Sequence, residues 1–152
     1  MRSNHWAQTF LDFVIASGLP ASPTRYVNGW LETALIKGKV CFVKSMTYNE
    51  ARGLYFIGVD PAKTAQAGQV VVLCGGEGRH LKDVFVIPWL SFFSLLGRAT
   101  PRNSYVGRSY LQYKGHVIEV KHGWELRWEG AARPHANASA WRFTPAAAPA
   151  AI

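Results

Sequence analysis

Acidic residues are scarce in this chain: 9 Asp and Glu stand against 17 Lys and Arg, a formal net charge of +8. Cysteine is scarcer, with 2 in 152 residues. Both, Cys41 and Cys74, sit inside apolar, strand-like runs, so they read as reduced core residues of a cytoplasmic protein and not as a disulfide frame. Neither joins a Cys-x-x-Cys pair, and His5, His80, His116, His122 and His135 show no finger spacing, which excludes a zinc finger. Long apolar runs are missing too. The longest, Val84 to Leu96, falls short of the ~20 residues of a membrane span and is interrupted by Pro88. Met1 to Phe10 has one Arg and no apolar stretch, so no signal peptide is expected there, and no membrane partner is expected. Charged residues make up only 17% against 49% hydrophobic, which excludes intrinsic disorder for the body of the chain.

What is present is a chain of one-domain length, rich in aromatics, that can bury a core without staples. Its basic balance points to a polyanionic partner.

The N-terminal third reads as helical. Ser3 or Asn4 can cap a helix carrying Trp6, Phe10, Phe13 and Val14 on one stripe, stopped by Gly18 and Pro20. A second helix is expected from Ser22-Pro23, on the repeats Tyr26, Trp30, Ala34 and Val27, Leu31, Leu35, ending at Lys37-Gly38. The alternative is a hairpin, Leu31 to Ile36 turning at Lys37-Gly38 into Lys39 to Lys44. The middle reads as strands: Val40 to Val43, Leu54 to Val59, Gln69 to Cys74 and Val84 to Ile87. With no helices between them, they are expected to pair antiparallel. Trp89 to Leu96 reads as a short apolar helix and residues 97–107 as a loop. Tyr110 to Tyr113, His116 to Lys121 and Trp124 to Trp128 read as a three-strand meander, turning at Lys114-Gly115 and His122-Gly123. Trp141 and Phe143 are expected to dock. The fold class is therefore α+β: N-terminal helices packed on a mainly antiparallel sheet, closed by a C-terminal β-meander. Residues 1–144 form one globular domain and 145–152 an Ala/Pro-rich loose tail.

The clearest chemical asymmetry is an acid-free stretch. No carboxylate side chain lies between Asp83 and Glu119, and within it fall Arg98, Arg102, Arg108 and Lys114, interleaved with Tyr105, Tyr110, Tyr113 and with Asn103, Ser104 and Ser109. Arginine and lysine neutralise phosphates, and Ser, Asn and Tyr donate to phosphate oxygens. Tyrosine rings can stack on unpaired bases. The candidate nucleic-acid-binding residues are thus Arg98, Arg102, Asn103, Tyr105, Arg108, Tyr110 and Lys114. The bland alternative is a solvated loop whose tyrosines belong to the core. A second acid-free stretch, Thr33 to Asn49, carries Lys37, Lys39 and Lys44.

A second feature is Val117-Ile118-Glu119-Val120-Lys121. A carboxylate and a lysine two apart on a strand share a face. There the acid can hold a divalent metal while the lysine steadies a water or the phosphate. The run resembles the Glu-x-Lys half-motif of the restriction-endonuclease-like PD-(D/E)xK superfamily. That resemblance implies Glu119 as a metal ligand, Lys121 as the catalytic lysine, Asp83 as a second ligand and Mg²⁺ as the cofactor. An alternative alignment uses Phe42-Val43-Lys44, with Phe42 where the acid should be, and implies a degenerate site suited to DNA binding. An exposed Glu/Lys pair on a solvated strand face is the plain alternative.

Gly75 to His80 reads as a turn between strands, since it lacks the Gly-Lys-Ser/Thr ending of a phosphate loop. Asp60-Pro61 reads as the start of another turn. The leading functional expectation is a nucleic-acid-binding domain, DNA ahead of RNA, contacting phosphates and needing no cofactor. The alternatives are a metal-dependent nuclease and a protein-interaction or assembly subunit. Oligomeric state is not legible in the sequence.

Overall fold

The structure is a computed structural model and describes residues 6–59, 69–77, 80–96, 102–103, 111–130 and 136–143. Helix α1, Trp6–Ala16, buries Trp6, Ala7, Phe10, Leu11 and Val14 along one side. It ends as the stop signals dictate, with the Gly18 and Leu19 amides bonded back to Ile15 and Val14.

The expected second helix is instead a strand pair, β1 (Ala21–Val27) and β2 (Trp30–Ile36), followed by β3 (Lys39–Ser45). Both connections are two-residue turns. Asn28 and Gly29 have φ of 51° and 81°, and Lys37 and Gly38 have 51° and 77°. Positive φ at both central positions is the hairpin turn whose twist matches its strands, and Asn-Gly is its strongest sequence signal. The apolar repeat misleads because residues four apart share a face on a strand as well as on a helix. Register shifts near Thr24 and Glu32 hide the strand period further. They put Leu31 in the same core as Ala34 and Ile36. The hairpin turning at Lys37-Gly38 is the alternative that holds.

The remaining strands are β4 (Thr47–Asn49), β5 (Leu54–Val59), β6 (Val70–Glu77), β7 (His80–Pro88), β8 (Arg102–Asn103), β9 (Leu111–Val120), β10 (Gly123–Trp128), β11 (Ala136–Asn137) and β12 (Arg142–Phe143), with helix α2 at Trp89–Leu96. They form two sheets, not one. The larger has the order β1-β2-β3-β6-β7-β12 and the smaller β11-β10-β9-β5-β4, with β8 added onto β9. All pairs are antiparallel except β3 with β6.

The centre of the larger sheet, β3, β6 and β7, is covered on both faces. Cys41, Val43, Val72, Cys74 and Val84 meet α1. Phe42, Val71, Leu73, Phe85 and Ile87 meet Tyr55, Ile57, Val59, Val117, Leu126 and Trp128 of the smaller sheet. Strands buried on both sides read as unbroken apolar runs, as β3, β6 and β7 do. Helix α2 adds Phe92, which meets the Trp128 ring edge-on at 5.6 Å.

The expected three-strand meander is a hairpin. Lys114-Gly115 is no turn: β9 runs straight through it, with Gly115 paired to Ile57 on one side and Trp128 on the other. A Cβ there would stand 2.6 Å from both the Arg127 carbonyl oxygen and the Trp128 ring, so this glycine makes room for an indole. The hairpin turn is Lys121-His122, between Val120 and Gly123. The chain then straps the sheets together. Strand β11 pairs with β10, a 3-10 turn spans Ser139–Trp141, and β12 pairs with β7. Trp141 is half-buried against the inter-sheet core. Asp60-Pro61 and residues 145–152 lie outside the described residues.

Gly75, buried in β6, lies under the Tyr55 ring, and an added Cβ would come 2.4 Å from its Cε1. That ring is pinned by its hydroxyl and cannot swing away. Gly75→Ala is therefore expected to destabilise the fold by about 1–3 kcal/mol, the usual range for overpacking, read as a lowered midpoint in chemical denaturation.

Candidate nucleic-acid interface

Of the seven candidate binding residues, Arg98, Tyr105, Arg108 and Tyr110 lie outside the described part of the chain. The other three are placed by a short ladder. Arg102 pairs with Gln112 and Asn103 with Leu111, so β8 doubles back along the start of β9. Lys114 follows two residues later on β9, exposed, with Gly58 of β5 as its cross-strand partner. Arg102, Asn103 and Lys114 are thereby gathered at one corner of the smaller sheet.

Lys37 and Lys39 lie elsewhere, at the exposed turn between β2 and β3 of the larger sheet, and Lys44 is half-buried on β3. The described cations of the two acid-free stretches thus lie on different sheets. Phe42 is a core residue at 6% exposure. Neither Arg25 nor Arg52 stands out in the sequence. Arg25 is exposed on the edge strand β1, and Arg52 lies over the Phe56 ring at 5.7 Å. An Asn-Gly turn read at Asn28-Gly29 would have placed Arg25 on an edge strand.

Glu119 is exposed on β9, opposite Trp124. Lys121 is exposed but belongs to the hairpin turn, so the two do not share a strand face as expected. Asp83 is on β7 of the other sheet and only 1% exposed. Its carboxylate is already engaged. Oδ2 accepts the Tyr55 hydroxyl at 2.5 Å, and Oδ1 accepts Arg142 Nε and Nη2 at 3.1 and 2.9 Å. The Arg142 guanidinium also lies over the Trp124 ring at 5.2 Å. Burial first, then the hydrogen-bonded Asp83 carboxylate, hold the Tyr55 phenol far above its ordinary pKa, so it stays a donor. Among the described residues no three of His, Cys, Asp and Glu come together as a metal-holding group.

Cys41 and Cys74 are both buried and unbridged. Burial, partly offset by the Lys39 charge, pushes the Cys41 thiol up to about 11. Burial alone pushes Cys74 well above its ordinary value. Neither is an activated thiolate. No protein-family model, no curated protein and no solved structure matches the chain.

Two outcomes are expected. Arg142→Ala leaves a buried carboxylate with one donor in place of three, so it should destabilise the fold by about 1–3 kcal/mol, measured by urea unfolding. Both thiols should resist a disulfide reagent at pH 8 in the native protein and react on unfolding. Native Cys41 should gain reactivity only as pH rises toward 11, because the thiolate forms there.

Proposed function

We propose that this protein binds nucleic acid, DNA ahead of RNA, mainly through phosphate contacts. The observation that carries this reading is where the positive charge is left over. Arg142 is committed to Asp83 at 2.9 Å, Arg127 to Glu125 at 3.0 Å and Lys82 to Glu77 at 3.6 Å. Lys114, by contrast, is exposed on β9, two residues beyond the ladder that sets Arg102 and Asn103 against Gln112 and Leu111. A cation already paired with a carboxylate offers a phosphate little, whereas an exposed cation outside any such pair is available to it. Ser, Asn and Tyr side chains in the carboxylate-free segment between Asp83 and Glu119 supply further phosphate donors.

The test is fluorescence anisotropy with a labelled duplex and a labelled single strand over a range of salt. Affinity should fall by roughly 0.9 log units per phosphate contact per log unit of salt on duplex DNA. Absence of binding to either at low salt removes the reading. Arg102→Ala and Arg108→Ala should each lower that slope by about one, while shifting stability by about 0.5 kcal/mol or less. Tyr105→Ala should weaken single-strand binding more than duplex binding if its ring stacks on bases. Little or no plasmid nicking is expected with Mg²⁺ or Mn²⁺. Cleavage lost in both Glu119→Gln and Lys121→Ala, with folding intact, would instead establish the nuclease.

A further inference from the structure

One face of the smaller sheet lies in the inter-sheet core and the other is turned outward. Residues directly opposite each other on paired strands share a face, as do residues two apart on one strand. Tyr55, Ile57, Val117, Leu126 and Trp128 take the core face. Phe56 therefore points outward. It pairs with His116, and His116 with Arg127, while Thr47 stands on its other side. The ring thus sits within a row that crosses β4, β5, β9 and β10. Leu54, on the same face of β5, is buried, whereas Phe56 keeps 36% of its surface exposed. The next row is Gly58 with Lys114. Gly58 has no side chain, so no β5 neighbour stands beside the ring on that side.

Two cations flank the ring. Arg52 lies in the turn between β4 and β5, where its amide donates to Asn49 Oδ1 at 3.0 Å and the Gly53 amide donates to the Asn49 carbonyl at 2.9 Å. That turn sets the Arg52 guanidinium over the Phe56 ring at 5.7 Å. Lys114 is the diagonal neighbour of Phe56 on β9, and such neighbours lie roughly 7–8 Å apart. Both cations are exposed, and neither is ion-paired with a described carboxylate, Glu50 of the same turn included. The other carboxylates of this face lie toward β10. Glu125 is held by Arg127 at 3.0 Å, and Glu129 has its Oε2 buried.

A partly exposed ring on a flat sheet, with a guanidinium plane against it and an ammonium beside it, matches unpaired bases. Such bases stack on aromatic rings and on arginine planes, and their phosphates go to cations. In a duplex the base faces are stacked on one another, and only their edges are offered in the grooves. A protein partner is disfavoured, because the centre of a protein interface is depleted of charge and here the cations stand at the ring itself.

We propose that the outer face of the smaller sheet is a stacking platform for single-stranded DNA, with a base against the Phe56–Arg52 pair and a flanking phosphate on Lys114. The inference rests on the nucleic-acid reading, from which it takes DNA, and adds the strand form and the residues of β5 and its preceding turn.

The test is fluorescence anisotropy of the full chain on a labelled oligothymidylate and on a labelled duplex of the same length, across a salt series. The wild type should bind the single strand more tightly. Phe56→Leu should lower single-strand affinity by about fivefold to a hundredfold, the worth of one base stack, with the salt slope unchanged and duplex affinity little altered. Arg52→Lys keeps the charge and loses the plane, so it should weaken single-strand binding at constant slope. Lys114→Ala should lower the single-strand slope by about 0.7. Phe56→Trp should retain binding, and circular dichroism should show every variant folded. A Phe56→Leu chain that binds the single strand as the wild type does overturns the inference and leaves the nucleic-acid reading standing. So does an equal loss on both substrates, which would mean that the ring acts through the fold. A wild type that prefers the duplex overturns the single-strand assignment, and one that binds neither substrate removes both readings.

Discussion

Strand β6 has no polar face. Val71 and Leu73 point to one side and Val72 and Cys74 to the other, and all four are at 0% exposure. Burying each such side chain is worth up to about 1.5–3 kcal/mol, but only if both sides of the strand are covered at once. That requirement sets the layer order. Helix α1 supplies one cover and the smaller sheet the other, and neither can be dispensed with while β6 stays central. The parallel pairing of β3 with β6 follows from the same demand. Between them the chain leaves the larger sheet, builds β4 and β5 in the smaller one, and returns.

Within this apolar frame sits one buried charge among the described residues, Asp83. Taking a carboxylate out of water costs several kcal/mol unless donors replace the lost hydration. Tyr55 supplies one donor from the smaller sheet, and Arg142 supplies two from the C-terminal strap. The three residues lie on β7, β5 and β12, so satisfying one carboxylate fixes the two sheets and the strap relative to each other. Trp124 holds Arg142 from the other side, and its own amide is taken by Ser139 Oγ of the strap at 2.9 Å. A methyl group at Gly75 would displace the Tyr55 ring, which couples the close approach in β6 to the same network.

The α+β class, α1, α2 and the four central strands were legible because each is a run with one clear period or none, bounded by turn residues. The failures have a common physical root. Gly29 reads as a weak point in a helix only if its neighbour Asn28 is ignored, whereas together they make a hairpin turn. Gly115 reads as a turn residue beside Lys114, yet it sits mid-strand because Trp128 needs the space. A glycine's role depends on what approaches it, and that partner is remote in sequence. The second sheet was equally hidden, since alternation shows that a strand has an inside but not which sheet lies there. For the candidate site, neither the position of Lys114 on a strand nor its proximity to Arg102 was legible, since Lys114 was expected in a turn with Gly115. The fate of Asp83 was least visible of all, since its partners stand 28 and 59 positions away.

The same separation decides how the positive charge can act. The segment around Lys114 belongs to the smaller sheet, and Lys37 and Lys39 belong to the larger. Packed sheets stand about 10 Å apart, while the screening length at physiological salt is about 8 Å. Exposed cations on the two sheets therefore contribute little to each other's field in the cell. A polyanion would respond to them through separate local contacts, each releasing its own counterions, and not through one merged patch. Low salt blurs this distinction, because screening then reaches across the whole domain. A phosphate partner held by both sheets would show contact effects that add, whereas a partner held by one would ignore substitutions on the other. The arginines locked at Asp83 and Glu125 sharpen the contrast, since their charge is already spent on the fold.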